Sequence, residues 1–256
     1  MQVVIFAGWL GTRLSEETSL KPKPMVEIGG KPILWHIMKI YSHYGYKDFI
    51  ICLGYKGYII KEWFANYVLH NSDITIDTRT GGQITIHNSD VEDWKVTLVD
   101  TGAETMTGGR LKRVAPYITE DNFLLTYGDG VSNVDVTALV EFHASHGKLA
   151  TLTSVQPVGK FGRLSIEWDQ VIEFAEKKDN ESAWINGGFM VMNKKVIDYI
   201  ASDDMPLEKD PLENLARDGE LMTYKHDGFW YAMDTLQNKN ALEAWWSEKK
   251  APWKIW

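Results

Sequence analysis

The chain has 256 residues, of which 44% are hydrophobic and 24% charged, with a formal net charge of −8. That length and composition suit one α/β domain with a large core. The acidic balance excludes bulk attraction to nucleic acid while leaving room for a local cationic pocket. A single cysteine, Cys52, rules out an internal disulfide and a four-cysteine zinc site. No apolar run reaches the ~18 residues of a membrane span, and the amino end lacks a basic leader. The expected location is the cytoplasm, with no membrane partner.

In chain order, the β-branched run at residues 3–6 predicts a first strand buried on both sides. A glycine loop follows, and Gly29-Gly30 breaks the chain. Pro32 suits a first helical position, and Ile33, Ile37, Ile40, Tyr41 and Tyr44 recur at helical spacing to about Gly45. Residues 49–53 read as a second strand and 56–69 as a second helix, an alternation that implies a parallel sheet with crossovers. In residues 73–88, Ile74, Ile76, Ile84 and Ile86 alternate with polar residues about Gly81-Gly82, which predicts an inserted hairpin with one wet face.

The sheet resumes at 96–99. Gly108-Gly109 precedes a predicted helix over 110–115. A further apolar strand at 123–126 ends in Tyr127-Gly128-Asp129-Gly130, and another helix carries Val136, Leu139, Val140 and His143. From Ala150 the pattern changes to short strands (151–155, 163–166, 171–174 and 189–192). Helical patches follow at 194–201 and 211–217, then strands at 221–224 and 229–233, and a last helix over 237–246. The predicted architecture is α/β: a Rossmann-like mixed, mostly parallel central sheet flanked by helices, with a small hairpin insertion and a more antiparallel C-terminal half. We expect one domain, with a nucleotide-binding part over about 1–130 and a sugar-phosphate part over about 131–256. Eleven tryptophans, four of them at 245, 246, 253 and 256, imply a tail that packs on its own core or covers a subunit interface.

The first loop carries the chemistry. Gly8-Trp9-Leu10-Gly11-Thr12-Arg13 matches neither a dinucleotide fingerprint nor a P-loop, which removes a nicotinamide-dependent oxidoreductase. What remains is a glycine loop leaving a strand, with main-chain N–H groups for an anion. Arg13 adds a planar fork that keeps its charge. Lys23 sits between Pro22 and Pro24, where the backbone is restricted. Together these predict a polyphosphate site. Asp129, between two glycines, reads either as a tight turn or as a carboxylate at the carboxyl end of a sheet strand, where α/β sheets bind ligands. Asp234 follows the aromatic run at 229–231. Two aspartates at strand ends could share one Mg²⁺. The basic trio Arg110, Lys112 and Arg113, read at a helix start, opposes the dipole unless an anion binds there. His143 and His146 read as a packed or solvated pair, and no G-x-S-x-G hydrolase elbow is present.

At this point a family resemblance is legible. Residues 7–14 (Ala-Gly-Trp-Leu-Gly-Thr-Arg-Leu) followed by Lys21-Pro22-Lys23-Pro24-Met25 resemble the signature of sugar-1-phosphate nucleotidyltransferases. Ser15-Glu16-Glu17-Thr18, Val99-Asp100-Thr101-Gly102 and residues 106–113 narrow it to the branch using CTP and glucose 1-phosphate. Tyr127-Gly128-Asp129-Gly130, residues 185–189 and Met233-Asp234-Thr235 fit the same branch. The motifs keep their order over nearly the whole chain. The resemblance implies formation of CDP-glucose and pyrophosphate for bacterial surface-polysaccharide (O-antigen) synthesis by a homo-oligomer, a hexamer.

It further implies Arg13, Lys23 and Asp129 as catalytic residues, and Mg²⁺ on Asp129 and Asp234. The nucleotide would lie against Ala7, Gly8, Leu10, Gly11, Thr12, Arg13, Thr105, Arg110 and Gly128. The sugar phosphate would lie against Lys23, Glu176, Lys177, Asn186 and Gly187. Two departures stand out. Trp9 replaces a usual glycine, which would admit close backbone approach, and Lys178 replaces a usual proline. UTP, dTTP or another sugar 1-phosphate is an alternative substrate, and a catalytically impaired sugar-nucleotide-binding relative is the reading that Trp9 motivates.

Overall fold

In the computed structural model, which describes residues 1–9, 14, 18–156, 163–167, 170–175 and 184–256, the period-2 alternation of strand side chains divides the core. In β1 (Val3–Ala7), Val3, Ile5 and Ala7 enter one apolar cluster while Val4 and Phe6 enter another. The next strand, β2 (Asp48–Leu53), divides the same way, with Phe49, Ile51 and Leu53 on the first side and Ile50 and Cys52 on the second. A sheet with apolar side chains on both faces needs helices on both faces, which is why these strands read as continuous apolar runs.

Among the described residues the sheet has eight strands. β3 (Lys95–Asp100) and β2 lie to one side of β1, and β4 (Asn122–Tyr127) lies to the other, all parallel. Beyond β4 the sense changes. β5 (Ala150–Val155) pairs along one edge with β6 (Ile185–Asn186) and β7 (Met190–Asn193), both antiparallel, and β7 also runs antiparallel to β4. On its other edge β5 meets β8 (Leu221–His226) in parallel. The mixed, mostly parallel α/β sheet and its more antiparallel C-terminal half are as the sequence predicts. The pairs 163–167 and 170–175 form a separate antiparallel ribbon.

Helix α1 (Ile33–His43) follows Pro32, which sits one position earlier than expected, at the helix cap. The single helix predicted over 56–69 is two: α2 (Gly57–Ala65) and α3 (Tyr67–His70). The break falls at Asn66, whose side-chain amide donates to the Glu62 carbonyl and competes with the helical ladder. The hairpin of Ser72–Asp77 and Gln83–Ser89 forms as predicted, but every residue of its second strand is exposed. Ile84 and Ile86 therefore face solvent, and the expected single wet face is corrected to two.

The helix predicted over 110–115 starts three residues earlier, as α4 (Thr107–Val114). Its two glycines are inside the helix because the backbone of residues 203–205 presses on them. A Cβ at Gly108 would lie 2.5 Å from the Met205 carbonyl oxygen, and one at Gly109 would lie 2.4 Å from that of Asp203. α5 (Val136–His146) is capped by Asp135, whose carboxylate accepts from the Ala138 N–H. α6 (Asp210–Arg217) and α7 (Leu236–Ser247) complete the layers. Thr235 and Asn238 form a reciprocal capping box that fixes the start of α7.

The tryptophan tail packs inward. Trp253 is buried, and His36 of α1 has ring contacts with Trp35, Trp246, Trp253 and Trp256 at centroid distances of 4.6–6.2 Å. Gly29 adopts φ +60° beneath the Trp246 indole, where a Cβ would lie 1.9 Å from Nε1, so the turn before α1 seats directly on α7.

Candidate active site

Three separate pieces of chain meet at the carboxyl ends of β1 and β4. Pro22 holds an extended backbone (φ −67°, ψ 151°), and the chain then turns through a single 3₁₀ turn, Lys23–Met25. Pro24 leaves this turn few alternatives, and the Lys23 side chain points inward with 8% of its surface exposed. Gly128 lets the chain leave β4 tightly against β1. Its N–H donates to the Phe6 carbonyl at 2.9 Å, and a Cβ there would lie 2.6 Å from that oxygen and 3.1 Å from Pro24. The next residue is Asp129. Residues Gly130–Ser132 then pair antiparallel with Trp230–Ala232, and the Met233 N–H donates to the Asp129 carbonyl at 2.9 Å. That ribbon delivers Asp234 beside Asp129.

The result is a three-residue centre. Lys23 Nζ donates to Asp129 Oδ2 at 2.7 Å and to Asp234 Oδ1 at 2.8 Å. Burial works against the charged ammonium, yet its attraction to and hydrogen bonds with the two carboxylates outweigh that, and the Lys23 pKa is raised. Two partly exposed carboxylates brought to one ammonium form an all-oxygen donor pair, the kind of donor that Mg²⁺ takes.

The expected nucleotide side lies next to this centre. Ala7 ends β1 and is buried, and Gly8 follows it. Leu10, Gly11, Thr12 and Arg13 lie outside the described residues, as do Glu176, Lys177 and Lys178 of the sugar side. Trp9 is 42% exposed, with its indole turned partly to solvent. Behind Gly8, the buried Arg110 guanidinium donates to the carbonyls of Leu53, Gly102, Ala103 and Gly8 and to the Thr101 hydroxyl at 2.7–3.3 Å. A Cβ at Gly8 would lie 2.2 Å from Arg110 Nη1. Arg110 thus pins the end of the first strand to the loops after β2 and β3, and Thr105 is buried. The dipole argument for an anion at Arg110, Lys112 and Arg113 is corrected. With the helix starting at Thr107, Lys112 and Arg113 stand in its last turn, where positive charge is favourable. Both also tie down neighbours, Lys112 on the Ile200 carbonyl and Arg113 on Asp203 and the Thr101 carbonyl.

On the side expected to receive the sugar phosphate, residues 187–189 interrupt what would be one strand formed by β6 and β7. Gly188 takes φ +74° and Phe189 φ +46°, a strained bulge for a bulky residue. The bulge directs Asn186 toward the end of β4, where its side-chain amide donates to the Tyr127 hydroxyl at 3.3 Å. Gly187 presents its carbonyl to Trp230 Nε1 at 2.7 Å. Sequence reasoning did not single out Tyr127 or Trp230. The position of Tyr127 directly before Gly128-Asp129 was the available signal, whereas Trp230 was hidden in an aromatic run that reads equally as core.

An α/β sheet with two acids and a lysine gathered at its strand ends suits phosphate chemistry, and the comparisons supply the class. The nucleotidyl transferase family profile matches residues 2–236, and the chain belongs to that family. It is 59% identical to glucose-1-phosphate cytidylyltransferase of Salmonella typhi and 44% identical to the probable glucose-1-phosphate cytidylyltransferase of Bacillus subtilis (strain 168), in each case over 100% of both chains. Among solved structures, HddC from Yersinia pseudotuberculosis superposes with a TM-score of 0.70 at 25% identity, covering 96% of this chain and 99% of that one.

Proposed function

We propose that the chain transfers the cytidylyl group of CTP to α-D-glucose 1-phosphate, giving CDP-glucose and pyrophosphate. The meeting of Lys23, Asp129 and Asp234 on one point is the observation that carries this reading, and the full-length similarity to two glucose-1-phosphate cytidylyltransferases supports the choice of base and sugar. A phosphate oxygen of glucose 1-phosphate attacks the α-phosphorus of CTP in line. The new P–O bond forms as the bond to the bridging oxygen breaks, and pyrophosphate leaves with that electron pair. The nucleophile is already anionic, so the protein needs no covalent intermediate and no strong base, and its contribution is placement and charge neutralisation.

Asp129 and Asp234 would hold Mg²⁺, which when bound neutralises charge on the reacting phosphates. Lys23 would hold a phosphate oxygen of glucose 1-phosphate or of the α-phosphate. Arg13 holds the leaving pyrophosphate, and the main chain at Gly8, Leu10, Gly11 and Thr12 grips the nucleotide. Thr105, Arg110 and Gly128 shape the nucleotide side; Glu176, Lys177, Asn186 and Gly187 shape the sugar side. The 59% full-length identity to a glucose-1-phosphate cytidylyltransferase supports a working site over the impaired-relative reading that Trp9 motivates.

Among the described residues no helix is long and apolar enough to cross a membrane. The exposed Ile76, Ile84 and Ile86 of the hairpin support self-association, the homo-oligomer that the resemblance implies. The deciding experiment is incubation with glucose 1-phosphate, Mg²⁺ and each of CTP, UTP, dTTP and GTP in turn, with products identified by mass. CDP-glucose as the main product is expected; a dominant UDP- or dTDP-sugar would replace the proposed base, and absence of any sugar nucleotide would remove the activity.

A further inference from the structure

The segments assigned to nucleotide, reacting centre and sugar come from different strands, and one side chain outside all three ties them together. Glu208 lies between Leu207 and α6. Its Oε1 accepts from the Tyr127 hydroxyl at 2.7 Å, and its Oε2 accepts from the Thr107 hydroxyl at 2.6 Å. Thr107 opens α4, two residues after Thr105. Tyr127 closes β4, two residues before Asp129. Asn186 joins through Tyr127.

The direction of each hydrogen bond follows from its neighbours. The Leu207 N–H donates to Thr107 Oγ1 at 2.8 Å, so the Thr107 hydroxyl proton is given to Glu208. The Gly188 N–H donates to Asn186 Oδ1 at 2.9 Å, which turns the Asn186 amide nitrogen toward Tyr127. The Tyr127 oxygen accepts from that nitrogen and gives its own proton to Glu208. Both arms therefore end on an acceptor-only group, which an ionised carboxylate is and an amide is not. The far end of the Tyr127 arm is the strained bulge of Gly188 and Phe189, a conformation that persists only while its surroundings hold it.

We propose that Glu208 is a positioning residue for the reaction: by clamping Tyr127 and Thr107 it sets the sugar-side loop at residues 186–188 against the start of α4. This rests on the reading above that Asn186 and Gly187 receive the sugar phosphate. A merely structural role is the competing account, since an acid just ahead of α6 also favours that helix's dipole. That account predicts loss of thermal stability with both Michaelis constants unchanged.

The test is Glu208→Gln, Tyr127→Phe and the double variant. Glutamine offers one acceptor oxygen where the carboxylate offers two, so one arm is lost. The KM for glucose 1-phosphate is expected to rise about 10-fold in each single variant, the size of one lost charge-assisted hydrogen bond. The KM for CTP should stay within about twofold, and the double variant should lose no more than either single one, because both remove the same link. Equal changes in both KM values, additive losses, or a fall in melting temperature alone would overturn the proposal. Amide hydrogen exchange read on the same proteins without substrates separates this proposal from the activity itself. Faster exchange confined to residues 186–189 in Glu208→Gln supports the clamp even if the wild-type protein proves inactive on CTP and glucose 1-phosphate, and unchanged exchange there refutes it.

Discussion

Lys23 Nζ stands 2.8 Å from Asp234 Oδ1, a residue 211 positions further along the chain. The same ammonium bonds Asp129 at 2.7 Å, so the centre is a cation held between two acids. Replacing Lys23 by alanine removes the donor meant for a phosphate oxygen and leaves two carboxylates facing each other. Turnover is expected to fall at least ~10²-fold, as for the loss of one donor to a developing anion. Pyrophosphate release measured at saturating CTP and glucose 1-phosphate checks this, and a near-normal rate would take Lys23 out of the mechanism.

Asp129 and Asp234 are expected to differ from Lys23 in how they respond to metal. Asp129→Ala should cost at least ~10²-fold in turnover. Asp234→Asn keeps a neutral oxygen donor and should instead raise the Mg²⁺ concentration for half-maximal rate by at least ~10-fold. Chelation by EDTA should abolish the wild-type activity and added Mg²⁺ restore it. A metal titration unchanged in Asp234→Asn would exclude Asp234 as a ligand.

Arg110 is buried against four carbonyls and a hydroxyl, with Gly8 in contact with its guanidinium. Methionine at 110 would remove all five of these hydrogen bonds; the Leu53 and Gly8 carbonyls keep donors in Thr101 and Tyr55, but the Gly102 and Ala103 carbonyls lose this one, a loss of about 3 kcal/mol in all, or about 6–12 °C in melting temperature for a chain of this size. Gly8→Ala should produce a comparable loss through the clash of its Cβ with the guanidinium. Calorimetry on the two variants measures both, and a loss in Arg110→Met under 1 °C would show that the carbonyls find other partners.

His36 predicts a pH dependence of stability. The ring is fully buried, with Nε2–H donating to the Ile28 carbonyl at 2.8 Å and Nδ1 facing the Trp253 indole N–H at 3.4 Å. Burial, with Lys254 nearby as a lesser cause, lowers its pKa from 6.5 to about 4. The folded state therefore binds this proton less readily than the unfolded chain does. The contribution is fully present above pH 6.5 and is lost as pH falls toward 4, by about 3 kcal/mol over that window. His143, also lowered to about 4 by burial, acts in the same direction. Urea unfolding between pH 7.5 and 4.5 should show the decline, and His36→Gln, which keeps the donor to Ile28 without titrating, should flatten part of it. An identical slope in that variant would refute the assignment to His36.

How far the sequence carried the reading depended on whether a signal was local. Val3 to Phe6 announced a buried strand by their β-branched and apolar character, and Pro22 and Pro24 announced a stiffened Lys23, because each of these constraints acts within a few bonds. The hairpin about Gly81-Gly82 was legible for the same reason. The start of α4 was misjudged because Gly108 and Gly109 look like a chain break until the backbone of residues 203–205 is seen against them. Tyr127 was legible only as a member of the Tyr127–Gly130 motif and not as a site residue, since a tyrosine at a strand end acquires a role only from partners at 186 and 208.

What the sequence determined by itself was most of the elements, the α/β class and the residue types available for phosphate chemistry, all consequences of spacing and backbone restriction. Only the tertiary structure decided that Lys23, Asp129 and Asp234 share one point, that Arg110 lies buried beneath Gly8, and that the tryptophan tail turns inward onto His36. Those outcomes hang on pairings between distant segments, above all the register of Gly130–Ser132 against Trp230–Ala232. No local propensity encodes such a register; it is selected by which long-range contacts bury apolar surface and satisfy polar groups at the same time.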